Sequence, residues 1–441
     1  MAPMMPRKAL LQMMSPLSSS WWPIGLLSLA CLGGSLLHAS SEQITNRHAI
    51  NLGIDELSAL DFRYLKGQRV GLLTHPAGVN KHGVSTIDIL KNSPRVNLVA
   101  LFGPEHGIYG DEKANVPVDD KIDARTGLPV YSLYGKYRKP TAAMLAGLDT
   151  LVIDLQDIGT RSYTYVSCMR YAMEACFENA VTVMILDRPN PLGGLKVDGP
   201  PLEKHLMSYV GAFQVPYVHG LTIAELALMA KKEPGWLDVT PEVQKAGRLI
   251  LIPMRGWKRS MLWPETGLKW VATSPAIPDL SAALGYAMTG LGTQIGGFSH
   301  GYGGPFPFRL LSYPGKSAQH IVDAFNRIRI PGLEFKVKQF SDQSGASTFG
   351  ALVVVTDYPS LRPTELSFHM MRLADAWSKQ GNPFANADAQ ARRLFQIHVG
   401  SETWWQELCH QGVRADIDKF IDLWQRQALA FQEQSKRYYL Y

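Results

Sequence analysis

Four short apolar runs punctuate the first half of the chain: "RVGLLTH" (69–75), "VNLVALFG" (96–103), "LDTLVIDLQD" (148–157) and "AVTVMILDRPNP" (180–191). Each is apolar at consecutive rather than alternate positions, the pattern of a strand buried on both faces. Between them lie "GVSTIDILKN", "PTAAMLAG" and "YVSCMRYAMEACFEN", the last with apolar residues at helical spacing. Strands covered on both faces and alternating with helices predict an α/β fold with a doubly wound parallel sheet.

Further along, "HGLTIAELALMAKKEPG" carries a helix start, with Thr222 as cap and Glu225 three residues on to reach back, and "EPG" ends it. After "LILIPMRGW" (249–257) the pattern loosens into a stretch rich in Gly, Pro and Trp that runs to about Tyr313. The rest, with "AQHIVDAFNRIRI", "ALVVVTD", "TELSFHMMRLADAWSKQ" and "TWWQELCHQG", mixes helices with at least one strand. The expected organisation is a catalytic α/β domain over 46–255 and a second, smaller α/β domain over 256–441 that closes on it. A length of 441 residues agrees with two cores.

Residues 1–39 stand apart. Arg7 and Lys8 precede "WWPIGLLSLACLGGSLLHA", and the run ends in small residues at Ala39. This reads as a secretory signal peptide, which places the mature chain in the periplasm or outside the cell. A retained membrane anchor is the competing reading, because residues 21–37 are just long enough to span a bilayer. Without the segment the net charge falls from +6 to +4, since Arg7 and Lys8 are its only charged residues. No long basic run supports nucleic-acid binding. Cys168, Cys176 and Cys409 are too few for a disulfide framework and read as thiols rather than zinc ligands.

The polar residues gather where the predicted strands end. His75 follows the first, Glu105 and His106 the second, Asp154, Gln156, Asp157 and Arg161 the third, and Asp187, Arg188 and Asn190 the fourth. In open parallel sheets ligands bind at these ends. Structural readings compete with functional ones: Asp187 pairs with Arg188 in a turn, Asp154 is a buried structural acid, Asp157 caps a helix starting near Gly159. Arg161, in the first turn of that helix, then needs a carboxylate, Tyr163 follows it, and His219 sits in a loop before Gly220. Glu105, in "GPEHGIYG" with glycines on both sides, fits a tight loop that displays a side chain. The chain has no Gly-x-Gly-x-x-Gly after its first strand, no nucleophile elbow and no His-Glu-x-x-His. Dinucleotide binding and serine hydrolysis are disfavoured, and no cofactor or metal is expected; a metal site through His75, His106 and Asp157 matches no specific motif.

In order along the chain, "GLLTHPAGV", "LFGPEHGIYG", "TGLPVYSLYG", "LVIDLQDIGTRSYTY", "LDRPNPLGG", "HGLTIAELA" and "TGLKW" resemble the NamZ-type exo-β-N-acetylmuramidases. The resemblance implies a Rossmann-like domain, a smaller C-terminal domain and an active site in their cleft. It implies release of terminal β-1,4-linked N-acetylmuramic acid from the non-reducing ends of peptidoglycan fragments. It also implies Glu105 as catalytic acid/base. As partner, Asp157 is placed first, with Asp187 or the substrate's acetamido group as alternatives. His75, His106, Gln156, Arg161, Tyr163, Arg188, Asn190 and His219 are the expected substrate-binding residues, with Arg161, Arg188 or His219 for the lactyl carboxylate. Where the family carries Glu-Gly-Thr-Asn and then Gly-Arg-Gly-Thr, this chain reads "LGTQIGGFSHGYGG", so Leu291, Gln294 and His300 replace a glutamate, an asparagine and an arginine. A muropeptide-binding protein without catalysis, or a hexosaminidase of altered specificity, is the alternative those changes raise.

Overall fold

A computed structural model describes residues 49–110, 121–341 and 345–441. The expected signal or anchor segment, 1–39, lies outside the described residues. Among the described residues no helix is long and apolar enough to cross a membrane.

Seven strands form the main sheet: β1 (Arg69–Thr74), β2 (Asn97–Gly103), β3 (Lys121–Ile122), β4 (Pro129–Ser132), β5 (Thr150–Asp154), β6 (Thr182–Leu186) and β7 (Leu249–Ile252). Their order is β3-β4-β2-β1-β5-β6-β7, and every pairing is parallel except β3 on β4. With the two-residue β3 set aside, the order is that of a doubly wound Rossmann-like sheet, and the winding reverses between β1 and β5. Thr74 lies opposite Asp154 across that reversal.

The alternation of side chains explains the apolar runs. Leu151 and Ile153 of β5, with Val183 and Ile185 of β6, enter the core made with the helices Tyr165–Glu178 and Ile223–Lys232. Val152, Met184 and Leu186 enter the opposite core, with Ile54, Leu57, Ile87 and Leu90. Each strand therefore needs apolar residues at both parities.

The C-terminal part carries a second, antiparallel sheet, β8 (Leu310–Leu311), β9 (Leu333–Ser341) and β10 (Ser347–Val355), in the order β8-β10-β9. Its core holds Phe325, Phe335, Phe368, Trp404 and Trp424, and takes in Tyr217 and Val218 from the first half of the chain. Cys168 and Cys176 are buried free thiols, and Cys409 is half-buried and free.

Candidate active site

The loop after β2 is shaped by close backbone contact. A side chain at Gly103 would meet the backbone of Gly107 and Ile108 at 3.2 Å, and the Gly107 amide donates to the Pro104 carbonyl at 3.0 Å. His106 is held at a φ of 71°, a conformation that costs a non-glycine residue energy and recurs at functional sites. This turn buries His106 and leaves the neighbouring Glu105 half-buried at the carboxyl end of β2.

Tyrosines surround Glu105. The Tyr134 hydroxyl donates to its carboxylate, and burial with this charge raises the phenol's pKa. Thr164 Oγ1 donates to Oε2 at 3.4 Å. The charge of Glu105 also reaches the hydroxyls of Tyr165, Tyr209 and Tyr286, all raised first by burial. Arg138 lies in the notch between two of these rings, its guanidinium carbon 4.1 Å from the Tyr134 centroid and 4.2 Å from that of Tyr209.

The loop after β5 carries Asp157. Asp157 Oδ2 accepts from the Gly159 amide at 2.7 Å, closing an Asx turn. His219 Nδ1 accepts from the Leu221 amide at 3.2 Å, so the ring proton sits on Nε2, 3.5 Å from Asp157 Oδ2. Asp157 Oδ1 is buried without a hydrogen-bond partner, as are Gln156 Oε1 and Thr160 Oγ1. The Tyr286 hydroxyl, 3.0 Å from Ser162 Oγ, feels the charges of both Glu105 and Asp157.

His75 and Tyr163 form the wall between these loops. The Gln156 amide donates to His75 Nε2 at 2.8 Å and Nδ1 faces the Thr273 carbonyl at 3.3 Å. Burial, with Arg188 nearby, drives the His75 pKa down to about 3, so the ring is neutral with both nitrogens engaged. Tyr163 donates to Thr273 Oγ1 at 2.9 Å, and Tyr165 to the Thr273 carbonyl at 2.7 Å. Gln156 Nε2 donates to the carbonyls of Asp157 and Pro189, each at 2.8 Å.

Several sequence expectations change here. The helix starts at Tyr165, not near Gly159, so Asp157 closes a turn instead of capping a helix and Arg161 lies in the preceding loop. Arg161 needs no carboxylate: Nη1 donates to the carbonyls of Pro200 and Val215 at 2.6 and 2.9 Å, and Nη2 to those of His398 and Val399 at 3.1 and 2.9 Å. The last two belong to the C-terminus of the helix Ala389–Val399, where the macrodipole favours a cation. Nor does Asp187 pair with Arg188. Arg188 grips Asp154 through Nε–Oδ1 at 2.5 Å and Nη2–Oδ2 at 2.8 Å, and Thr86 donates to the same acid. Asp187 instead accepts from Thr222 Oγ1, the Ala224 amide and the Tyr441 hydroxyl. Asn190 bonds the Leu192 amide and the Leu221 carbonyl. Arg161, Asp187 and Asn190 thus spend these groups on the scaffold.

The loop that departs from the family pattern reaches the same region. Leu291 is fully buried in the C-terminal core, a place where an unpaired carboxylate would be costly. Gln294 Oε1 is buried without a partner. His300 stacks on Phe308 at 4.8 Å, and Phe308 packs edge-on against Tyr286 at 5.0 Å. Burial lowers the His300 pKa to about 4, so the ring does not carry an arginine's charge at neutral pH. A cavity of about 430 Å³ opens beyond the His75 wall, lined by Val79, Lys81, Gln156, Arg188, Trp263 and Trp270. Glu105 does not line it.

Comparison with known proteins agrees with this architecture. The family model described as exo-β-N-acetylmuramidase NamZ, N-terminal, matches residues 70–281, and its C-terminal counterpart matches residues 284–441. The peptidoglycan β-N-acetylmuramidase NamZ of Bacillus subtilis (strain 168) is 35% identical over 408 residues, covering 91% of this chain and 94% of that protein. Two crystal structures of DUF1343 family proteins from Bacteroides fragilis NCTC 9343 superpose. One is 39% identical with a TM-score of 0.80, over 90% of this chain and all of the other. The second is 26% identical with a TM-score of 0.67, over 89% of this chain and 99% of the other.

Proposed function

The chain belongs to the NamZ exo-β-N-acetylmuramidase family, and from that premise we propose that it is an exo-acting glycosidase that removes terminal N-acetylmuramic acid from peptidoglycan fragments, with Glu105 as catalytic acid/base. The observation that carries the assignment is the placement of Glu105: half-buried at the carboxyl end of β2, next to the strand reversal, and held by Tyr134 and Thr164.

The chemistry follows from that setting. A sheltered carboxylic acid protonates the glycosidic oxygen as the bond to the sugar's C1 breaks, and the resulting carboxylate then takes a proton from the attacking water. Tyr134 holds the carboxyl in one orientation, and Tyr165 and Tyr286 reduce the water around it. Asp157 fits the second acidic role better than Asp187. One Asp157 oxygen is anchored by Gly159 and the other has no partner, whereas Asp187 is closed in by three donors. His219, with its Nε2 proton 3.5 Å from Asp157 Oδ2, orients that acid.

Residues 1–39 read as an export signal, so the enzyme works in the periplasm or outside the cell, where peptidoglycan lies. The sequence pattern supports this: two basic residues, an apolar run and a small-residue exit. Mass determination of the protein from the periplasmic fraction gives the mature start, and an intact N-terminus contradicts cleavage. For the activity, glycan fragments ending in muramic acid are digested and the products separated. Free N-acetylmuramic acid is the expected product; larger fragments alone, or no product from folded enzyme, contradict the reading.

A further inference from the structure

A muramidase must tell muramic acid from glucosamine, and the two differ by a lactyl ether that carries a carboxylate. Its natural reader is an arginine whose charge is not already spent. The arginines singled out in the sequence do not meet that condition. Arg161 is enclosed by four carbonyls, and Arg188 is bound two-pronged to Asp154. His300, where the family pattern has an arginine, is uncharged at neutral pH.

Arg138 does meet it. It is half-buried, it rests on the faces of Tyr134 and Tyr209, and no carboxylate among the described residues lies within ion-pair distance of it. Two rings at 4.1 and 4.2 Å hold the guanidinium, which also donates to the hydroxyls of Tyr134 and Tyr209; with five N–H donors it has others left for a carboxylate. The Tyr134 hydroxyl engages both Glu105 and Arg138, so the guanidinium lies beside the catalytic carboxyl.

We infer that Arg138, clamped by Tyr134 and Tyr209, is the residue that binds the substrate's lactyl carboxylate and sets the preference for muramic acid. The inference rests on the muramidase reading and deepens it. In this arrangement the charge lost at His300 does not leave the site without a cation.

The test is equilibrium binding to the full chain of N-acetylmuramic acid, its lactyl methyl ester and N-acetylglucosamine, for wild type, Arg138→Met and Arg138→Lys. Wild type is expected to bind the acid at least about 10-fold more tightly than the ester. Arg138→Met is expected to lose that preference, and Arg138→Lys to keep part of it. Wild type that binds the acid no better than the ester, or binds neither, overturns the inference, and so does Arg138→Met with the preference intact. The ester comparison needs no variant, so a poorly folded Arg138→Met does not decide the matter. Turnover of a chromogenic β-N-acetylmuramide, measured alongside, judges the muramidase reading separately: cleavage with no acid preference sinks the Arg138 assignment alone, and acid preference without cleavage sinks the reading alone.

Discussion

A buried arginine without a carboxylate is costly unless something else answers its charge. At Arg161 the answer is four carbonyls, two of them at the C-terminus of the helix Ala389–Val399. Gly400, at a φ of 83°, permits the approach, because a side chain there would come within 2.5 Å of Arg161 Nη2. Arg161→Met is therefore expected to lower stability by about 3 kcal/mol or more, since several buried carbonyls lose their donors. Urea unfolding measures the loss, and a change under about 1 kcal/mol contradicts the account. Residue type was legible here and partner was not. Arg161, Arg188 and Asp154 stand out in the sequence as chemistry-bearing, yet only tertiary packing decides that two of them bind each other and the third binds a helix end. Arg138 is not legible for the same reason: "YGKYRKP" shows an arginine near tyrosines but not that carboxylates are missing around it.

Elements whose signals are local are legible in the sequence. The capping box at Thr222 forms as its spacing requires, with the Glu225 carboxylate on the Thr222 amide at 3.0 Å and the Glu225 amide on Thr222 Oγ1 at 3.3 Å. Thr222 Oγ1 also donates to Asp187 at 2.8 Å, which fixes this helix to the end of β6. Thr222→Ala is expected to cost about 1–2 kcal/mol in thermal or urea unfolding, and a neutral effect contradicts the double role. The strands β1, β2, β5 and β6 were legible because burial on both faces leaves continuous apolar runs. β9 was not: "LEFKVKQFS" has mostly exposed residues, and its pairing with β10 rather than its own hydrophobicity makes it a strand. The helix starts at Tyr165 rather than near Gly159 because residues 158–164 form a loop, in which Arg161 turns to carbonyls of other segments.

On the scale of the whole molecule, buried titrating groups set how stability depends on pH. His75 and His300 have folded pKa values of about 3 and about 4, below the ordinary 6.5. Their contribution is full above pH 6.5 and fades as pH falls toward those values. Asp187 is raised to about 7 from 3.8, chiefly by burial, so its contribution is full at low pH and fades as pH rises through 7. His398, lowered by burial, and Asp198, raised by burial, add one group to each side, so the histidines outweigh the acids, and stability is expected to rise from about pH 4 to 6.5 and to dip between 6.5 and 7. Denaturation midpoints across that range check this, and a steady fall from pH 4 to 6.5 contradicts it. The central claim is that a Rossmann-like sheet presents one glutamate, Glu105, to a sugar at its strand ends. The most direct measurement compares hydrolysis of para-nitrophenyl β-N-acetylmuramide by wild type and Glu105→Gln, with folding confirmed for both. The account predicts that kcat falls by roughly 10²- to 10⁴-fold while KM changes little. A variant that turns over near the wild-type rate would contradict it.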